Sequence, residues 1–83
     1  MQTYQTKGVC SSQIQFEIQD GLIKEVQFTG GCNGNLKGIG NLVVGMTPKA
    51  AAERLKDIKC GARDSSCPDQ LSMALTDWLR VSA

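Results

Sequence analysis

The sequence predicts an α+β fold: an antiparallel sheet of two to three strands, followed by about three helices packed on one of its faces. Three observations predict it. Apolar and polar residues alternate from Val9 to Thr29, the spacing turns helical after Gly30-Gly31-Cys32, and two helix-start signals follow at Thr47-Pro48 and Ser66-Cys67-Pro68.

The first long strand runs from Val9 to Gln19, with Ile14, Phe16 and Ile18 on one side and Gln13, Gln15, Glu17 and Gln19 on the other. The second runs from Leu22 to Thr29, with Leu22, Val26 and Phe28 on its apolar side. A two-residue turn at Asp20-Gly21 sets Phe16 opposite Glu25 and mixes the faces, so a three-residue loop, Gln19 to Gly21 with Gly21 left-handed, is expected. That register places Ile18 against Leu22, Ile14 against Val26 and Ser12 against Phe28. Tyr4 and its neighbours add an edge strand, with Lys7-Gly8 as the turn into Val9.

The first helix carries Leu36, Ile39 and Val43, with Asn33 or Asn35 as its cap. Gly38 and Gly40 inside it imply close backbone packing or a loose segment, since each costs roughly 1 kcal/mol relative to alanine. The second helix starts with Thr47 as cap and Pro48 at the first position, carries Ala51, Leu55 and Ile58, and ends near Cys60-Gly61. The third begins at Ser66-Cys67-Pro68-Asp69, with Pro68 at the first helical position. Leu71, Ala74, Leu75, Trp78 and Leu79 form its apolar face, wide enough to cover the hairpin.

The 83 residues suit one domain, 1–83, with room for one core and one site. Nine Lys or Arg against eight Asp or Glu, scattered singly, argue against a grip on nucleic acid. The apolar runs are too short to span a membrane, and Met1-Gln2-Thr3-Tyr4 has no signal-peptide character, so a cytoplasmic location is expected. In that reducing compartment four cysteines read as metal ligands or working thiols rather than disulfides. There is no histidine, so a site must use thiolates, carboxylates, amides and backbone.

Cys10, Cys32, Cys60 and Cys67 are separated by 21, 27 and 6 residues, with no CxxC pair. All four fall at the expected element ends. The hairpin brings Cys10 and Cys32 to one sheet edge, and the short Cys60 to Cys67 loop brings the second pair together, so a four-thiol site is geometrically reasonable. Cys67 lies at the positive end of a helix dipole with Lys59 and Arg63 nearby, a setting that favours the thiolate. The backbone amides of Asn33-Gly34-Asn35 offer Cys32 similar help. The alternative is that the cysteines simply pack. The glycine pairs lack the lysine and the element order of a nucleotide loop. Asp64, Asp69 and Asp77 read as caps or solvated charges, and Met73 and Trp78 as core.

Gly30-Gly31-Cys32-Asn33-Gly34-Asn35-Leu36, Ile58-Lys59-Cys60-Gly61 and Ser65-Ser66-Cys67-Pro68-Asp69-Gln70 together resemble the TSCPD-domain family, with Ser65 where the family's name has Thr. That family occurs as small free-standing proteins and as the C-terminal domain of adenosylcobalamin-dependent ribonucleotide reductases. The resemblance implies an association with ribonucleoside-diphosphate reduction and deoxyribonucleotide synthesis. The chain is too short for the reductase barrel and is not a complete enzyme alone; no catalytic residue is assigned.

More distantly, the chain is similar to iron-sulfur cluster scaffold proteins, which implies a scaffold-like fold. Cys10, Cys32 and Cys67 match their three ligand cysteines, and Cys60 stands as a fourth. Ser11 and Ser12 replace the scaffold family's acidic ligand.

The expected function is thus a metal module holding zinc or an iron-sulfur cluster at Cys10, Cys32, Cys60 and Cys67, with a ribonucleotide reductase or a thioredoxin-type reductant as partner. The alternatives are a thiol-disulfide relay cycling Cys60 and Cys67, and a non-catalytic interaction module using the Asn33 to Gly40 segment.

Overall fold

Three strands and three helices follow one another in the expected order in a computed structural model of the protein: β1 (Gln2–Gln5), β2 (Ser11–Gln19), β3 (Leu22–Gly30), α1 (Asn33–Val43), α2 (Pro48–Leu55) and α3 (Cys67–Ser82). The structure describes residues 2–6, 9, 11–30, 33–58 and 65–82. The fold is α+β. The strands form one antiparallel sheet in the order β1-β2-β3. Lys7-Gly8, Lys59 and Arg63 lie outside the described residues, as do Cys10, Cys32 and Cys60.

The hairpin corrects the expected register. Gln19 pairs with Leu22 and Ile18 with Ile23, so the turn is the two-residue Asp20-Gly21. Both residues have positive φ, 55° and 77°, the type I′ geometry whose twist matches that of the strands. The register then shifts between Glu17 and Ile18, with Lys24 as the extra residue on β3, so Phe16 faces Val26 and Ile14 faces Phe28. This bulge removes the mixing of faces that a uniform ladder would impose. It also changes which residue enters the core: Ile23 is 1% exposed and Leu22 is 42% exposed.

A second shift lies between Ser11 and Gln13, where Ser12 is the extra residue and Ser11 pairs with Gly30. Ser12 therefore does not face Phe28. Unbroken alternation from Ile14 would turn Ser12 inward and Ser11 outward; the bulge reverses this, leaving Ser12 exposed and Ser11 buried.

The inward face of the sheet supplies Ile14, Phe16 and Ile23 to the core, and the helices supply Val43, Ala51, Ala52, Leu71, Ala74 and Leu75. Tyr4, Val26, Phe28, Ile39 and Trp78 pack around them. Met73, expected in the core, lies at the surface.

Helix α1 begins at Asn33, so Asn35 lies inside it rather than capping it. Gly38 and Gly40 within it differ. A Cβ on Gly40 would lie 3.1 Å from the carbonyl oxygen of Val26, which makes Gly40 the point where α1 approaches β3, whereas a Cβ on Gly38 would meet nothing within 4 Å. Gly38→Ala is therefore expected to stabilise the protein by about 1 kcal/mol through helix propensity. Gly40→Ala is expected to show no such gain, because the close contact must open; urea midpoints of the two variants check the contrast.

Helix α2 starts as expected, with Thr47 Oγ1 accepting from the Ala50 amide at 3.2 Å and Pro48 in the first turn. It ends at Leu55, short of Cys60-Gly61. Lys56 is extended and Asp57 has φ 62°, which ends the helical path and leaves Ile58 41% exposed instead of on the buried stripe. What holds Asp57 in that conformation is the start of α3.

Candidate functional site at the start of α3

Cys67 is the first residue of α3, and Pro68 the second rather than the first, where a missing N–H is equally harmless. Ser66 caps the helix: its Oγ accepts from the Asp69 amide at 3.1 Å, and its carbonyl accepts from the Gln70 amide at 2.8 Å. The same hydroxyl donates to the Ile58 carbonyl at 2.5 Å. A serine here satisfies an orphan helix donor and ties down the chain leaving α2.

Asp69 completes the tie. One carboxylate oxygen accepts from the Asp57 amide and the other from Ser65 Oγ, each at 2.7 Å. Gln70 Nε2 donates to Ser65 Oγ at 3.0 Å. Ser66, Asp69 and Gln70 are buried, so Ser65, Ser66, Asp69 and Gln70 form one closed network around the first turn of α3. Asp69, expected as a cap or a solvated charge, is neither: Ser66 caps the helix, and the Asp69 carboxylate is buried and ties the end of α2 to the start of α3.

Within that frame sits the Cys67 sulfur. The residue is free of any disulfide and 8% exposed, and Ser11 Oγ donates to its Sγ at 3.1 Å. Ser11 is 2% exposed. The first residue of β2 and the first residue of α3, far apart in sequence, thus meet through their side chains. Sequence reasoning gave Ser11 no role here, because alternation along β2 points Ser12 inward and nothing local announces the bulge. Among the described residues, no three His, Cys, Asp or Glu side chains cluster as a metal would require. Of the four expected ligands, Cys67 is described; Cys10, Cys32 and Cys60 lie outside the described residues.

Tyr4 lies on the same side of the sheet, its hydroxyl 3.9 Å from Met73 Sδ. Burial raises its pKa above the usual tyrosine value, and the negative charges of Asp77 and Asp69 raise it further. The fold therefore favours the protonated phenol. That contribution is complete below the ordinary tyrosine pKa of about 10 and is lost as pH rises through the higher folded value. Tyr4→Phe is expected to flatten the alkaline decline in stability, read as urea midpoints measured from about pH 9 to pH 11.

Three further polar contacts support the frame. Ser72 Oγ donates to the Ala52 carbonyl at 2.7 Å, joining α2 to α3. The Thr6 side chain donates to the Ser11 carbonyl, and the Thr6 amide donates to the Ser12 carbonyl at 3.2 Å, holding the β2 bulge from the β1 side.

No helix among the described residues is long and apolar enough to cross a membrane. No curated protein and no solved structure matches the chain, so neither comparison adds support to the iron-sulfur scaffold similarity. The family model of the TSCPD domain matches residues 2–79, from the first residue of β1 to the penultimate turn of α3. With nearly the whole chain covered, and Ser65-Ser66-Cys67-Pro68-Asp69 forming the capped start of α3 just described, the protein belongs to the TSCPD-domain family.

Proposed function

We propose that this TSCPD domain is a metal-binding module in which Cys10, Cys32, Cys60 and Cys67 hold one zinc ion or an iron-sulfur cluster, and that it serves ribonucleotide reduction. The observation that carries the reading is a convergence of chain neighbours. Ser11, next in sequence to Cys10, donates to the Cys67 sulfur. Gly30, two residues before Cys32, pairs with Ser11. Ile58, two residues before Cys60, accepts from Ser66, the residue before Cys67. A chain advances at most about 7 Å in two residues, so these anchors support the reading that the four cysteines share one ion.

The donor set suits soft, thiolate-binding metals, zinc above all, whose structural sites take four ligands. Such an ion would add folding free energy to a domain this small. The burial of Cys67 weighs for a ligand over a cycling thiol, since exchange requires access to the attacked sulfur. The link to deoxyribonucleotide synthesis rests on the family's occurrence at the C-terminus of adenosylcobalamin-dependent reductases, which makes such an enzyme, or a thioredoxin-type reductant acting on it, the partner to test.

Metal analysis after anaerobic purification tests the site. About one zinc per chain, or an iron-sulfur chromophore, is expected, together with a thermal midpoint that falls on chelation and returns with added zinc. A chain that carries neither metal, and whose midpoint ignores added zinc, overturns the metal reading. A reversible Cys60–Cys67 disulfide in that same metal-free chain would establish the relay instead.

A further inference from the structure

We propose that Ser11 is a positioning residue for the metal site, its buried hydroxyl holding the Cys67 sulfur by a hydrogen bond and drawing negative charge from it. The inference rests on the metal reading above and goes beyond it by assigning a role to a residue that is not itself a ligand.

Two features aim this hydroxyl. The bulge at Ser12 turns Ser11 inward, against the alternation set by Ile14 and Phe16. The Ser11 backbone is fixed on both sides, by pairing with Gly30 on β3 and by the Thr6 side chain on its carbonyl. The resulting Oγ to Sγ distance is 3.1 Å, with Ser11 2% exposed and Cys67 8% exposed, so water does not compete freely for the sulfur.

A metal-bound thiolate has no proton to give, so the hydroxyl is necessarily the donor in that state. Hydrogen bonds to ligand sulfur lower the energy of its lone pairs and orient it; outer-shell partners of this kind typically account for about 10–100-fold in metal affinity. The two adjacent serines therefore have separate roles. Ser11 holds the sulfur, and Ser12, whose Oγ donates to the Thr29 carbonyl at 3.3 Å on the exposed side, does not.

Cobalt(II) is the probe, titrated anaerobically into the full chain, with zinc affinity measured by competition against a chromophoric chelator. Wild type is expected to show thiolate-to-cobalt charge-transfer absorption. In Ser11→Ala that band should move to lower energy and zinc affinity should fall by roughly 10-fold or more. Ser12→Ala should change neither. Ser11→Thr and Ser11→Val, nearly equal in shape and differing in the hydroxyl, repeat the comparison should alanine disturb folding: Thr should keep the wild-type band and Val should show the alanine-like shift.

A wild type that binds cobalt while Ser11→Ala and Ser11→Val match it in band position and affinity overturns the role of Ser11 and leaves the metal site standing. A wild type that binds no cobalt removes the metal site and the inference together.

Discussion

Asp69→Ala is expected to destabilise the metal-free protein by about 2–4 kcal/mol, lowering the thermal midpoint by roughly 10–25 °C. The carboxylate accepts from the Asp57 amide and from Ser65 Oγ, both at 2.7 Å, in a buried setting. Truncation leaves both donors without their acceptor, and charge-assisted bonds are the stronger kind. It also releases the positive-φ conformation of Asp57 that turns the chain out of α2. A domain of this size has a total stability of about 4–12 kcal/mol, so the loss would be a large share of it. Asp69→Asn should cost less, because its carbonyl oxygen can still accept from Asp57. Urea denaturation in the presence of chelator checks the pair; an Asp69→Ala midpoint indistinguishable from wild type would show that the network is not what secures α3.

Leu71→Ala is expected to cost about 2–5 kcal/mol. Leu71 is fully buried in the cluster that joins Ile14, Phe16 and Ile23 of the sheet to Ala51, Ala74 and Leu75 of the helices. The variant loses the transfer free energy of the deleted atoms and leaves a cavity that two layers of secondary structure cannot fully collapse around. Leu42→Ala, at a position 78% exposed, should change stability by no more than about 0.5 kcal/mol. Denaturant midpoints of the two leucine variants separate core packing from a general intolerance of lost methyl groups.

Sequence pattern revealed those parts of the fold whose causes are local. Thr47-Pro48 and Ser66-Cys67-Pro68 announce their helices because a capping hydroxyl acts within three residues. The order of strands and helices follows from periodicity for the same reason. The hairpin register was not readable from alternation, although Asp20-Gly21 is a strong turn signal. Alternation assumes an unbroken ladder, and the conflict it raised was resolved by an extra residue at Lys24, a device with no residue signature of its own. The end of α2 was hidden for another reason: the group that stops it, the Asp69 carboxylate, arrives from α3. In the candidate site, Cys67 was legible from its place at a helix start. Ser11 was not, because its contact spans 56 residues of sequence and depends on the bulge beside it.

The bulge at Ser12 also bears on how this strand tolerates changes in length. Removing one residue from a strand ordinarily inverts everything beyond the cut, but here the deletion of Ser12 would leave a regular ladder in which Gln13 still meets Thr29 and Ser11 still meets Gly30. Ser11 would keep its inward orientation toward Cys67. Deletion of Gln15 would instead carry Ile14 to the solvent face. Ser12 is thus a spare residue in the counting of β2, and the protein can lose it without changing which serine reaches the sulfur.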